Sequence, residues 1–190
     1  MVFQFSASQP HDLTVWPEPP IDDRSGPPLS QGVLFTMLAM VAADALEREW
    51  IDVFGQLDPH AWYHGQLLES VLTGLERRDP TLPRSLGRSV YLLFRARLES
   101  FGLTSAAAVI ANLPLLWYQA TRGDSGVFRS ALLGPRHARV ELEQPYNCAF
   151  EEGAVVGFIE AMGGRDIIVD HTPCIRSGAP FCELHLRWRE

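Results

Sequence analysis

The chain lacks a segment long enough to cross a bilayer. Its longest apolar run, Val33 to Ala43, falls well short of the ~20 residues that a spanning helix needs. No export leader is expected in its first residues, because MVFQFSASQPHD has neither a basic start nor an apolar core. The cytoplasm is therefore the expected compartment. It lacks positive charge: Lys and Arg total 16 against 23 Asp and Glu, a net charge of −7, with the arginines interleaved among acids. A nucleic-acid surface needs a concentrated positive face, so DNA and RNA are excluded as specific partners. There is no phosphate-cradling glycine loop, no G-x-S-x-G elbow and no internal repeat. The acidic pairs Asp22-Asp23 and Glu151-Glu152 are consecutive, point in different directions and suit solvated surfaces. With no nucleophile–base constellation, no catalytic residue is assigned, and the reading leans away from an enzyme. His60 and His64 are four apart with Asp58 nearby. A second metal site or a haem ligand is one reading of them, and an exposed pair is the simpler one.

What is present is enough for one domain with an arm: 190 residues, 46% hydrophobic and 21% charged. Residues 1–29 are rich in proline and read as an extended arm, either docked through Val2, Phe3 and Phe5, packed on a second subunit, or a loose tail. The domain proper spans 30–190. Its first part, 30–123, reads as helical. Ser30 is a candidate cap for a helix over about 31–56, and Asp58-Pro59 starts a second helix ending near Arg78. A third runs from Pro83 to about Ser100, and Thr104 or Ser105 caps a fourth through Thr121, with Pro114 inside it.

The second part, 127–188, changes period. Val127 to Leu133 and His137 to Glu143 read as strands joined at Gly134-Pro135. A helix over 149–162 follows. Ala149, Gly153, Gly157 and Ala161 lie four apart, so one side is nearly bare and fits close against a sheet, while Glu151, Glu152 and Glu160 face water. Ile167 to Thr172 and Phe181 to Trp188 form a hairpin through Ser177-Gly178-Ala179. Alternation puts Cys182, Leu184, Leu186 and Trp188 on one face of the last strand, and Ile167, Val169 and His171 together on the preceding one. The fold class is therefore α+β: a helical half, then an antiparallel sheet with one close-packed helix.

All three cysteines fall in this last part, in the pattern C-x22-H-x2-C-x7-C formed by Cys148, His171, Cys174 and Cys182. Four N or S donors at about 2.0–2.3 Å make a tetrahedral zinc site, and this spacing can close around one ion. Two other readings stay open: a Cys174–Cys182 disulfide across the hairpin, or three inert buried thiols. Four protein ligands would saturate zinc, so such an ion would be structural.

Residues 146–188 resemble the C-terminal half of the 4-vinyl-reductase-type domain, which includes the sensor domains of phenol-responsive transcription activators. The likeness rests on Cys148 opening a helix that carries Gly153 and Gly157, then Gly164-Arg165, His171, Cys174 and Cys182. It departs at His171, where those sensors use a glutamate. The resemblance implies a Cys3His zinc set, a pocket for a small hydrophobic or aromatic ligand between helices and sheet, and a homodimer. From their apolar-face positions, Phe94, Trp117, Phe128 and Phe158 are candidate pocket residues, with plain core packing the alternative. The expected function is a zinc-stabilised binding or sensory module acting through a partner. An enzyme or accessory protein handling a tetrapyrrole or other hydrophobic substrate is the alternative, and a protein–protein adaptor the second one.

Overall fold

The computed structural model describes residues 3–5 and 13–190, so Val2 and Pro10 lie outside the described residues. Among the described residues, two antiparallel sheets and seven α-helices make up an α+β fold. Strands β1 (Val15–Trp16), β2 (Leu29–Gln31), β3 (Trp62–His64) and β4 (Thr121–Arg122) form a small sheet in the order β1-β3-β2-β4. Helices α1 (Gly32–Val41), α2 (Arg48–Phe54), α3 (Gln66–Arg78), α4 (Leu82–Leu92), α5 (Arg95–Ser100) and α6 (Ala106–Ala120) complete the first part. The second part is β5 (Val127–Gly134), β6 (His137–Glu143), α7 (Cys148–Ala161), β7 (Arg165–His171) and β8 (Cys182–Arg189), with sheet order β5-β6-β8-β7. None of the helices among the described residues is long and apolar enough to cross a membrane.

Several elements differ from the sequence expectation for identifiable reasons. The stretch 31–56 breaks into α1 and α2, and 83–100 breaks into α4 and α5. Ser30 is a strand residue rather than a cap: its hydroxyl lies 3.3 Å from that of Tyr146, while α1 starts without a side-chain cap. Ser105 does cap α6, its hydroxyl accepting from the Ala108 N–H at 3.2 Å. The described stretch of the proline-rich segment from residue 13 onward is tied to the body of its own chain. Val15 and Trp16 pair with Tyr63 and Trp62, and Glu18 sits 2.6 Å from Arg122. The Arg122 guanidinium also lies over the Trp62 ring at 4.5 Å.

The large sheet buries one face. Ala138, Val140 and Leu142 of β6 lie in register with Leu186, Leu184 and Cys182 of β8, and all six are buried. Against them pack Val109, Ile110 and Leu113 of α6 and Val155 and Ile159 of α7. A second core gathers Phe35, Phe54, Leu67, Leu72, Leu86 and Val90 in the helical part, with Phe150 of α7. At about 1.5–3 kcal/mol for each large apolar side chain fully buried, these two cores supply the main drive to fold.

Helix α7 belongs to both cores, and every residue from Phe150 to Ile159 is buried. The expectation that Glu151 and Glu152 face water is therefore corrected: α4 covers the side of the helix that the sheet leaves open. The bare side of α7 rests on that helix, not on a sheet. A Cβ added at Gly153 or Gly157 would overlap the backbone carbonyls of Arg84 and Arg88, and one added at Gly87 of α4 would overlap the Phe150 carbonyl. Glycine on both helices lets the backbones touch.

Candidate functional site

Two groups of side chains stand out, one on each side of α7. The first is the cysteine cluster. Asn147 caps α7, its side-chain oxygen accepting from the N–H groups of Ala149 (3.0 Å) and Phe150 (3.1 Å), and this fixes Cys148 in the first turn. Cys182 opens β8, and Cys174 precedes a single 3-10 turn over Ile175–Ser177. The Cys182 sulfur lies 3.3 Å from that of Cys148 and 3.6 Å from that of Cys174. All three sulfurs lie within 4.8 Å of one another. The cysteines are free, so no Cys174–Cys182 disulfide forms.

His171 stands beside the cluster but outside that compact set. Its Nδ1 is 2.8 Å from a Glu152 carboxylate oxygen, and Glu152 is held in turn by Arg84 at 2.7 Å. Its Nε2 is buried and neither accepts nor donates a hydrogen bond among the described residues. The neighbouring Cys182 sulfur, and then Glu152, push the imidazole up to about 10. Cys182 carries the favoured thiolate: the Cys148 thiol beside it, then the adjacent His171 imidazole and the Ile175 N–H, hold it well below the usual thiol range, against its burial. Cys148 is pushed far up, first by sharing that proton with Cys182 and then by burial. The hairpin is locked to α3 by Arg176, which reaches Glu69 at 2.7 Å and Glu76 at 2.6 Å. Three sulfurs and an orphaned imidazole nitrogen are the donor types that take a thiophilic metal ion.

The second group lines a partly open cavity of about 120 Å³ bordered by β2, α1, α3, α4, α5, α6, β4 and α7. Tyr91, Phe94, Trp117, Tyr146, Glu151 and Phe158 border it. Phe158 meets Tyr91 edge-on at 4.7 Å between ring centroids, and Tyr91 stacks on Phe94 at 5.1 Å. Phe128 does not reach this space. It stacks on Trp117 at 4.0 Å and borders a smaller void of about 30 Å³ behind it, shared with Phe158. The Trp117 indole N–H donates to the Gly126 carbonyl at 3.2 Å. The four aromatic candidates thus lie at one junction, with three of them on the larger cavity.

Sequence reasoning missed Tyr91, Tyr146 and Glu151 here. Burial pushes the Tyr146 phenol up to about 12 and the Glu151 carboxyl up to about 8. The residues that flank Glu151, Phe150 and Glu152, are also buried, so no polar–apolar alternation marks it. His60 and His64 make no site together: His60 is exposed, while His64 packs against Phe5 and Trp16 and its Nδ1 accepts from the Gln66 N–H at 3.0 Å.

No protein-family model and no curated protein matches the chain. Solved structures do. A crystal structure of an H-NOX protein from S. oneidensis in the Fe(II)NO ligation state superposes with a TM-score of 0.68 at 16% identity, covering 84% of this chain and 99% of that one. An Fe(II) unliganded H-NOX protein from K. algicida gives a TM-score of 0.57 at 13% identity, covering 84% and 97%. A structure described as modulating haem redox potential through porphyrin distortion gives 0.58 at 11%, covering 84% and 97%. These neighbours replace the 4-vinyl-reductase-type assignment, and with it go zinc as the cofactor carried over from that family and the zinc-stabilised module built on it. The tetrapyrrole-handling alternative keeps only a loose link to them, through haem. At these identities the likeness is one of fold, and the fold this chain shares is that of the H-NOX domains.

Proposed function

We propose that this chain is a small-molecule sensory module built on the H-NOX fold, with its ligand in the cavity between the helical part and α7, to which the large sheet contributes no lining residue. The observation that supports this is the position of the cavity on α7, which has fully buried residues in both cores. A ligand seated there touches both parts at once, and differential contact is what lets a ligand shift a conformational equilibrium. The size suits a compact molecule: a cavity of roughly 150 Å³ accepts benzene. The acting form is a homodimer in the cytoplasm, where thiols stay reduced. What supports the dimer is the exposed Val127 and Leu133 on the edge strand β5.

The test is a thermal-shift screen of compounds of up to about eight non-hydrogen atoms, on the wild type and on Leu116→Trp, which fills the cavity from α6. A binder at ~100 times its Kd adds about 2.7 kcal/mol to the wild type and nothing to the filled variant. A screen in which no compound separates the two proteins overturns the reading.

Haem, which the neighbouring structure with a distorted porphyrin carries, does not fit the residues present. An axial ligand is His, Cys, Met or Tyr, and among the described residues no His, Cys or Met borders the cavity. Its two tyrosines are poor substitutes, because a ligating tyrosine must give up its proton and burial holds both phenols protonated. The space of about 120 Å³ is also below the ~300–1,000 Å³ usual for sites of larger ligands.

The donor set Cys148, His171, Cys174 and Cys182 is proposed separately as a site for a thiophilic metal ion. The support is the mutual approach of the three sulfurs and the unpartnered Nε2 of His171. Such an ion would tie the start of α7 to the β7–β8 hairpin.

A further inference from the structure

Glu151 differs from the other buried carboxylates of the fold. Glu152 is held by Arg84 and His171, and Glu69 by Arg176. Glu151 is 3% exposed, borders both the larger cavity and the void behind it, and has no hydrogen bond or ion pair to its carboxyl from any described residue. An ionisable group left without a partner in an apolar site is costly. A purely apolar ligand would be served better by leucine or methionine at this position. A positive charge arriving with the ligand would offset that cost. The rings of Tyr91, Phe94, Trp117 and Phe158 border the same space, and aromatic faces attract cations, quaternary ammonium groups above all.

We propose that the cavity takes a compact organic ammonium ion, with Glu151 as its counter-ion and the four rings against its carbon groups. This rests on the reading of the cavity as the ligand site. The net charge of −7 favours approach of such a ligand.

The groups facing Glu151 set the pH behaviour. Tyr91 of α4 and Tyr146, just before α7, are neutral phenols. Glu69 of α3 lies near enough to disfavour a second negative charge, and its own charge is matched by Arg176. Arg97 of α5 stands at the rim, exposed, over the Phe101 ring at 5.7 Å. From α1 and β2 come Ser30, Gln31, Val33 and Leu34, and from α6 Leu116, Trp117 and Gln119, none of which titrates. Burial first, then Glu69, pushes the Glu151 carboxyl up to about 8. A cation of fixed charge binds the ionised carboxylate, so its affinity rises with pH up to that point, and below it each binding event releases a proton.

The experiment is calorimetric titration of the full chain with choline and with its uncharged isostere, in which carbon replaces the quaternary nitrogen. Wild type and Glu151→Gln are compared at about pH 6 and about pH 9. The expected result is one choline per wild-type chain, bound at least ~10-fold more tightly than the isostere at the higher pH and ~10-fold or more weakened at the lower. In Glu151→Gln both the preference and the pH dependence disappear. Equal binding of the isostere and choline overturns the cation and leaves the cavity reading standing. So does choline binding that Glu151→Gln does not change. Binding of neither probe also overturns the cation, and the fate of the cavity then rests on the compound screen with Leu116→Trp. A Glu151→Gln chain that unfolded would be recognised by its melting curve, and Glu151→Asp, which keeps the charge and withdraws it by one methylene, would then carry the comparison.

Discussion

A Cβ on Gly153 of α7 would overlap the carbonyl oxygen of Arg84 in α4. The obstacle is backbone, which has no rotamer to move, so the two helices must separate to admit a methyl group. Gly153→Ala should cost about 1–3 kcal/mol, the range for overpacking in a close-packed interior. Gly74, inside α3, has nothing within 4 Å of its Cβ direction. Gly74→Ala should therefore stabilise, by about 0.5–1 kcal/mol, since alanine is the better helix former. Urea midpoints of the two variants measure both, and a neutral Gly153→Ala would show that α4 and α7 do not touch as described.

Stability should fall with rising pH across the neutral range. Burial pushes Glu69 up to about 7 and Glu151 up to about 8, from an ordinary value of 4.5. Between 4.5 and those values the folded chain keeps protons that the unfolded chain has released. The resulting stability is complete below the unfolded value and is lost as pH rises through the folded one. Glu151→Gln removes one of the two groups, and the loss from acid to mildly alkaline pH should shrink by on the order of a few kcal/mol, at ~1.4 kcal/mol per pKa unit. Unfolding free energies of both proteins across that range give the slopes, and parallel slopes would show that Glu151 ionises normally.

The cysteine cluster should bind cadmium, a thiophilic probe ion, at about one equivalent per chain, seen as thiolate-to-metal absorbance in the ultraviolet. Cys182→Ser should abolish the band, because that sulfur lies between the other two. His171→Ala should weaken uptake while keeping most of the absorbance, which arises from the sulfurs. Absence of the band in the reduced wild type would identify the three thiols as ordinary core residues.

Haemin added to the chain should give no one-to-one complex with a sharpened Soret band. The ground is that no His, Cys or Met among the described residues borders the cavity, and that burial holds its phenols protonated. A stoichiometric band lost in Tyr91→Phe would assign Tyr91 as an iron ligand and reverse this conclusion.

Much of the second part is legible in the amino-acid sequence alone. In β8 the residues Cys182, Leu184, Leu186 and Trp188 alternate with Glu183, His185, Arg187 and Arg189, and the buried face follows that period. A half-buried strand writes its two environments into successive residues. The approach of Cys148, Cys174 and Cys182 is likewise signalled by spacing, because a helix start and a hairpin can only be drawn together in a few ways. The small sheet is not legible. Strands of two or three residues, such as β1 and β4, are too short to show a period at all.

Helix α7 marks the boundary between the two kinds of information. Local sequence determined that it is a helix, over about 149–162, and that one side is bare of side chains, while the Asn147 cap and the start at Cys148 are seen in the structure. Only the tertiary structure decided that the bare side meets α4, and hence that Glu151 is buried beside a cavity with no partner. The reason is physical. A helical period records contrast between a wet side and a dry side, and a helix covered on all sides has none to record. Which remote segment covers it depends on contacts between residues far apart along the chain, such as Gly87 and Phe150, and no local pattern carries that distance.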